Sequence, residues 1–124
     1  MQQLQIPPTS EGEIYIGAIG DKNGDVHHVI LLPGDNDDAT FADAIEWAKS
    51  VGGDLPSKVE AAMLFEQAKD QFKPSWYWTN ETFVDPDNED SDRYAWYQDI
   101  YDGYQCRGPK SDELRAVAVR RLPI

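Results

Sequence analysis

The stretch WYWTNETFVDPDNEDSDRYAWYQDIYDGY, residues 76–104, decides how this chain is read. It holds Trp76, Tyr77, Trp78, Phe83, Tyr94, Trp96, Tyr97, Tyr101 and Tyr104, nine of the fourteen aromatic side chains. The runs WYWTNET (76–82) and YAWYQDI (94–100) have the composition of strands and flank the acidic segment DPDNEDSD (85–92). The two-residue period of a strand puts Trp76 and Trp78 on one face and Tyr77 on the other. In the second run Tyr94 and Trp96 share a face, and Tyr97, Asp99 and Tyr101 share the opposite one. Burying an aromatic side chain stabilises a fold by roughly 1.5–3 kcal/mol, so Trp76, Trp78 and Trp96 are expected in the core. Tyr97, Tyr101 and Tyr104, with Asp99, Gln105 and Arg107 nearby, form an amphipathic set of the kind enriched at interfaces.

Working outward, Asp102-Gly103 marks a hairpin turn, YQCR (104–107) returns from it, Gly108-Pro109 ends that strand, and LRAVAVRRL (114–122) reads as one closing strand. Upstream, EIYIGAI (13–19) and VHHVILL (26–32) read as a hairpin across Asn23-Gly24. After the acidic loop DNDDA (35–39), Thr40 is placed as an N-cap with Asp43 three residues on. Phe41, Ala44, Ile45, Ala48 and Val51 give a helical stripe that Gly52-Gly53 stops. Ser57 and Glu60 form a capping-box pattern opening a second helix with the stripe Ala61, Leu64, Phe65, Ala68 and Phe72. Residues 1–12, with Pro7-Pro8, are an expected flexible lead-in. The predicted architecture is α+β, one domain over 13–124 with a mostly antiparallel sheet and two flanking helices.

The formal charge is −12, unevenly spread. Residues 1–92 carry 19 acids and 5 bases, whereas 93–124 carry 4 acids and 6 bases. Such a field repels nucleic-acid phosphates and anionic lipid, which argues against direct nucleic-acid or membrane binding. Arg115, Arg120 and Arg121 are expected to pair within the acidic body. The N-terminus has no basic start followed by an apolar run, and no run nears the roughly 20 apolar residues of a membrane span. The single cysteine, Cys106, excludes an internal disulfide. These features suit a cytoplasmic protein.

The run ADAIEWAKSVGGDLPSKVEAAMLF (42–65), followed by WYWTNE, YAWYQDIYDGYQ and RAVAVRRL, resembles the Lcl C-terminal domain family. That family carries a helix ending in GG-x-LP-[ST]-[RK]-x-E, then YW-[ST]-x-E, then AWY with a Gly-Gln turn, then R-x-VR. The resemblance spans roughly residues 13–122. It implies a C-type-lectin-like fold in which the terminal strands pair, two helices flank the sheet and a long loop region carries binding. It also implies a phage or bacterial origin, hence the host cytoplasm for a phage-encoded member. The family has no agreed catalytic residues to carry over. The Glu-Pro-Asn or Gln-Pro-Asp tripeptide and the Trp-Asn-Asp of calcium-dependent sugar binders are missing from this sequence.

No chemistry-bearing motif stands out. Read as an EF-hand from Asp85, the acidic loop has Asp90 in place of the turn glycine and Trp96 in place of the bidentate Glu. His27 and His28 are neighbours on a strand and point to opposite faces, one half-buried and one exposed, so they do not chelate one metal. Cys106 reads as a small hydrophobe without a nucleophile signature. The expectation is a non-enzymatic module with no cofactor and no metal, recognising a protein partner through Tyr97, Asp99, Tyr101, Tyr104, Gln105 and Arg107. An acidic inhibitor occupying a basic, nucleic-acid-binding surface of a host protein is the alternative. Calcium-independent glycan binding is a third reading and rests on fold analogy alone.

Overall fold

Ile14–Gly20 (β1) and Val26–Leu31 (β2) form the expected hairpin. The Asp21 carboxylate closes its turn by accepting the backbone N–H groups of Asn23 and Asp25. The computed structural model describes residues 3–124, of which 3–12 contain no helix or strand; the first two residues of the expected lead-in lie outside the described ones. Among the described residues the architecture is α+β, with two helices and eight mostly antiparallel strands in two sheets.

The remaining elements are Asn36–Ala39 (β3), Phe41–Ser50 (α1), Lys58–Ala68 (α2), Trp76–Thr82 (β4), Tyr94–Asp99 (β5), Gln105–Pro109 (β6), Leu114–Ala116 (β7) and Val119–Pro123 (β8). One sheet runs β1-β2-β8 and the other β3-β7-β4-β5-β6. Four sequence expectations are corrected here. The stretch DNDDA is not all loop, because Asn36 and Ala39 pair with Ala116 and Leu114. The run LRAVAVRRL is two strands in two sheets, broken at Val117-Ala118. The edge strand β6 tolerates Gly108-Pro109, since a proline at a sheet edge need not donate to a ladder. The C-terminal strand pairs with β2, the second strand of the first hairpin, and not with β1.

Both helices start where side-chain chemistry says they should. The Thr40 hydroxyl accepts the N–H of Asp43, and Ser57 and Glu60 form a reciprocal capping box. Helix α1 covers one face of the five-stranded sheet, where Phe41, Ala44, Ala48, Leu55, Trp78 and Ala95 form a core. Helix α2 packs on the opposite side, between that sheet and the hairpin, against Ile16, Val29, Tyr77, Ile100 and Val117. Gly53 permits the close join of the α1 exit to β8, because a Cβ there would lie 2.5 Å from the Val119 carbonyl oxygen.

The arginines do pair inside the acidic body. Arg120 makes two 2.9 Å bonds to Glu13, and Arg121 makes two 2.7 Å bonds to Glu60 and one of 3.0 Å to Asp54. Glu60 is only 1% exposed, and its oxygens also accept from Ser57 N–H and His27 Nε2–H. Burial alone raises the Glu60 carboxyl pKa, but the bonds from Arg121, Ser57 and His27 outweigh it and hold the value below the ordinary range. The histidines do point apart, yet neither is free: His28 is buried against the Tyr15 hydroxyl, and His27 is committed to Glu60.

Candidate functional site

The β5–β6 hairpin holds the sequence-selected residues, and its tip is tied from within. Asp99 Oδ1 accepts the Tyr101 N–H, Asp102 Oδ1 accepts the Tyr104 N–H, and Gly103 N–H returns to the Asp99 carbonyl. Gln98 lies beneath, 1% exposed, and its amide N–H groups are shared among the carbonyls of Asp99, Gly103 and Tyr104. Its carbonyl accepts from Gln105, which also donates to the Lys58 carbonyl at the start of α2. Gly103 has φ +86°, and a Cβ there would sit 2.8 Å from the Phe65 ring, so only glycine lets the turn rest on α2. Ile100 is buried and donates its N–H to Ser75.

The strand register sorts the side chains by face. Trp78 pairs with Tyr97, Trp76 with Asp99, and Tyr97 with Cys106. Trp76, Trp78, Tyr97, Asp99 and Cys106 therefore share the face that α1 covers. Helix α1 reaches only one end of it. There Trp78 is fully buried, donating its indole N–H to the Ala39 carbonyl with its ring edge-on to Phe41. At the uncovered end Trp76 stacks on Tyr97, centroids 4.8 Å apart and planes 18° from parallel, and donates its indole N–H to Asp99 Oδ2 at 2.9 Å. Trp76 is 45% exposed, and Tyr101 and Tyr104 beside the turn are 75% and 73% exposed.

Partial burial, followed by the neighbouring Cys106 and the negative charges of Asp99 and Asp102, pushes the Tyr97 phenol pKa above its ordinary value. The hydroxyl therefore stays neutral and able to donate.

Of the six residues selected from sequence, Tyr97, Asp99, Tyr101 and Tyr104 come together at this open end. Gln105 and Arg107 belong to the opposite face. Gln105 is spent on Gln98 and Lys58, and the Arg107 guanidinium lies 4.4 Å above the Phe83 ring. Phe83 in turn meets Trp96 edge-on, and Lys58 Nζ sits 3.6 Å above Trp96. The expectation of three core tryptophans is thus corrected: Trp78 is core, Trp96 is half-buried beneath Lys58, and Trp76 belongs to the open end. Trp76 was the residue missed. Its signal was its place as first residue of a strand, two positions beyond Trp78 and so about 7 Å further along.

Elsewhere, a cleft of about 530 Å³ lies between Gly24–His27 and Arg121–Ile124, but its lining residues His27 and Arg121 are already bonded to Glu60. In the 85–92 loop, Asp85 and Asn88 side chains cap backbone N–H groups two residues on, in Asx turns. Among the described residues no group of three or more His, Cys, Asp or Glu converges as a metal site would. No helix among the described residues is long and apolar enough to cross a membrane. No protein-family model, no curated protein and no solved structure matches this chain.

Proposed function

We propose that this chain is a non-enzymatic binding module that recognises a protein partner through the open end of the five-stranded sheet and the turn beside it. The observation that carries the reading is the arrangement of Trp76, Tyr97, Tyr101 and Tyr104. Their backbone and polar neighbours are bonded internally, while large parts of three of these rings face solvent. Rigid aromatic surface of this kind gives affinity at small cost in ordering. The ordered sequence motifs support a C-type-lectin-like plan and a phage or bacterial origin, with action in the host cytoplasm.

The test is affinity capture from host lysate. Trp76→Ala/Tyr101→Ala/Tyr104→Ala should reduce partner capture at least tenfold while circular dichroism is unchanged. Undiminished capture would overturn the reading.

A second reading is favoured by the charge distribution. Of 23 carboxylates only Glu13, Asp35, Glu46, Asp54, Glu60 and Asp90 are in ion pairs among the described residues. The rest present a negative surface suited to covering a basic, nucleic-acid-binding site of a host protein. That mode predicts capture that falls steeply between low and high salt and that survives Trp76→Ala/Tyr101→Ala/Tyr104→Ala.

A further inference from the structure

The open end carries the three most exposed aromatic rings among the described residues, Trp76, Tyr101 and Tyr104, and has no cation of its own. Trp96 is covered by Lys58, Phe83 by Arg107, Phe65 by Lys69 at 5.1 Å and Phe41 by Lys110 at 5.2 Å. Among the described residues no lysine or arginine lies over Trp76, Tyr97, Tyr101 or Tyr104. Carboxylates gather there instead. Asp99 lies against the Trp76 indole edge, and Asp102 is held in the turn by the Tyr104 N–H. A methyl group on Gly108 would lie 3.4 Å from the Tyr97 ring and 4.0 Å from an Asp112 oxygen, so that carboxylate lies on the Gly108 side of Tyr97. Asp99, Asp102 and Asp112 are in no ion pair among the described residues.

Aromatic faces attract cations through the ring quadrupole, most strongly for tryptophan, and neighbouring carboxylates add to that attraction. The negative charge of the whole molecule acts in the same direction. Asp99 has spent one acceptor site on each oxygen, but an ionised carboxylate has about four such sites in total. The stacked pair is therefore an electron-rich floor with an acidic border and an unfilled cation position.

We infer that the Trp76–Tyr97 platform takes an arginine or lysine side chain from a basic segment of the protein partner, seated over the stacked rings and held by Asp99, Asp102 and Asp112. The inference rests on reading the open end as the contact surface. It deepens that reading by assigning the partner's chemistry: a peptide segment that presents a cation to this face.

The test titrates the full chain with a fluorescently labelled eight-residue peptide of alternating arginine and glycine, and with its counterpart in which citrulline replaces arginine. Citrulline keeps the planar shape and removes the charge. The arginine peptide should bind at least tenfold more tightly than the citrulline peptide. Trp76→Ala and the pair Asp102→Asn/Asp112→Asn should each weaken it at least tenfold, although asparagine retains the oxygen that accepts the Tyr104 N–H. Asp21→Asn/Asp25→Asn, which removes the same charge from the β1–β2 turn, should change binding less than twofold.

Equal binding of the citrulline peptide, no binding of the arginine peptide, or an equal loss in the β1–β2 turn variant would overturn the inference. Lysate capture separates the two claims. Capture that survives Asp102→Asn/Asp112→Asn but fails in the aromatic triple variant leaves the contact surface standing and removes the cation. Capture that survives both sets removes the contact surface itself.

Discussion

Trp78 and Trp76 are two residues apart on one face of one strand, and they have opposite fates. At Trp78 the face is sealed by α1, with Phe41 on the ring and the Ala39 carbonyl on the indole nitrogen. At Trp76 the ring stacks on Tyr97 and stays 45% exposed, and its nitrogen is bonded to a carboxylate at the surface. Each indole N–H has an acceptor, so the difference is not one of polar satisfaction. It is a difference in who covers the ring: the chain itself in one case, solvent or a partner in the other. Surface that a fold leaves open while fixing its geometry is surface available for contact.

The comparison is tested hardest at its covered end. Trp78→Ala should cost about 3–5 kcal/mol, the usual penalty for emptying a large aromatic site in a core, read as a shift of the urea midpoint. A loss below about 1.5 kcal/mol would show that α1 does not seal the face. Glu60→Ala should be of similar size, about 3–5 kcal/mol, because it strands the buried side of Arg121 and removes the side-chain half of the α2 capping box together.

Acid should act through the same carboxylate. Its folded pKa is depressed, so its contribution is fully present above the unfolded value of 4.5 and is lost as pH falls through the lower folded value. Glu13, bonded to Arg120, shifts in the same direction. Urea midpoints measured from pH 7 down to pH 3 should fall steeply below about pH 4.5. In Glu60→Gln that acid limb should be shallower, and an unchanged limb would assign acid sensitivity to other groups.

An intermediate effect is expected from Gln98→Ala. It leaves three turn carbonyls without their buried donor and should cost about 1–3 kcal/mol, with faster amide exchange at Gly103 and Tyr104. Trp76→Ala should cost less, about 1 kcal/mol for a half-exposed ring, while its effect on partner capture should be large. That inversion between stability and capture is the sharpest form of the comparison. Smallest of all, Tyr101→Ala and Tyr104→Ala should each stay within about 0.5 kcal/mol of the parent stability.

Much of this fold was legible because its signals are local. The Thr40 cap, the Ser57–Glu60 capping box, the Gly52-Gly53 stop and the Asn23-Gly24 turn each depend on residues a few positions apart, and each stands where the sequence put it. The period-two reading also separated Tyr97 and Asp99 from Trp96 correctly. It could not match faces across strands, since nothing within β4 says that Trp76 sits opposite Asp99 and not opposite Gln98. That ambiguity put Trp76 in the core and grouped Gln105 and Arg107 with the tyrosines. The same limit hid the break at Val117-Ala118, where the hydrophobic pattern runs on while the strand changes sheets.

That break bears on how the protein is made. Strand β7 is inserted between β3 and β4, and β8 completes the β1–β2 sheet, so both sheets wait for residues 114–123. A ribosome delivers these residues after all the strands they join. Until they emerge, β3 has no neighbour, β4 has an open edge towards it, and the first hairpin lacks its third strand. Nascent chains halted before residue 114 should therefore remain protease-sensitive throughout, and folding should begin only as residues 114–123 clear the exit tunnel.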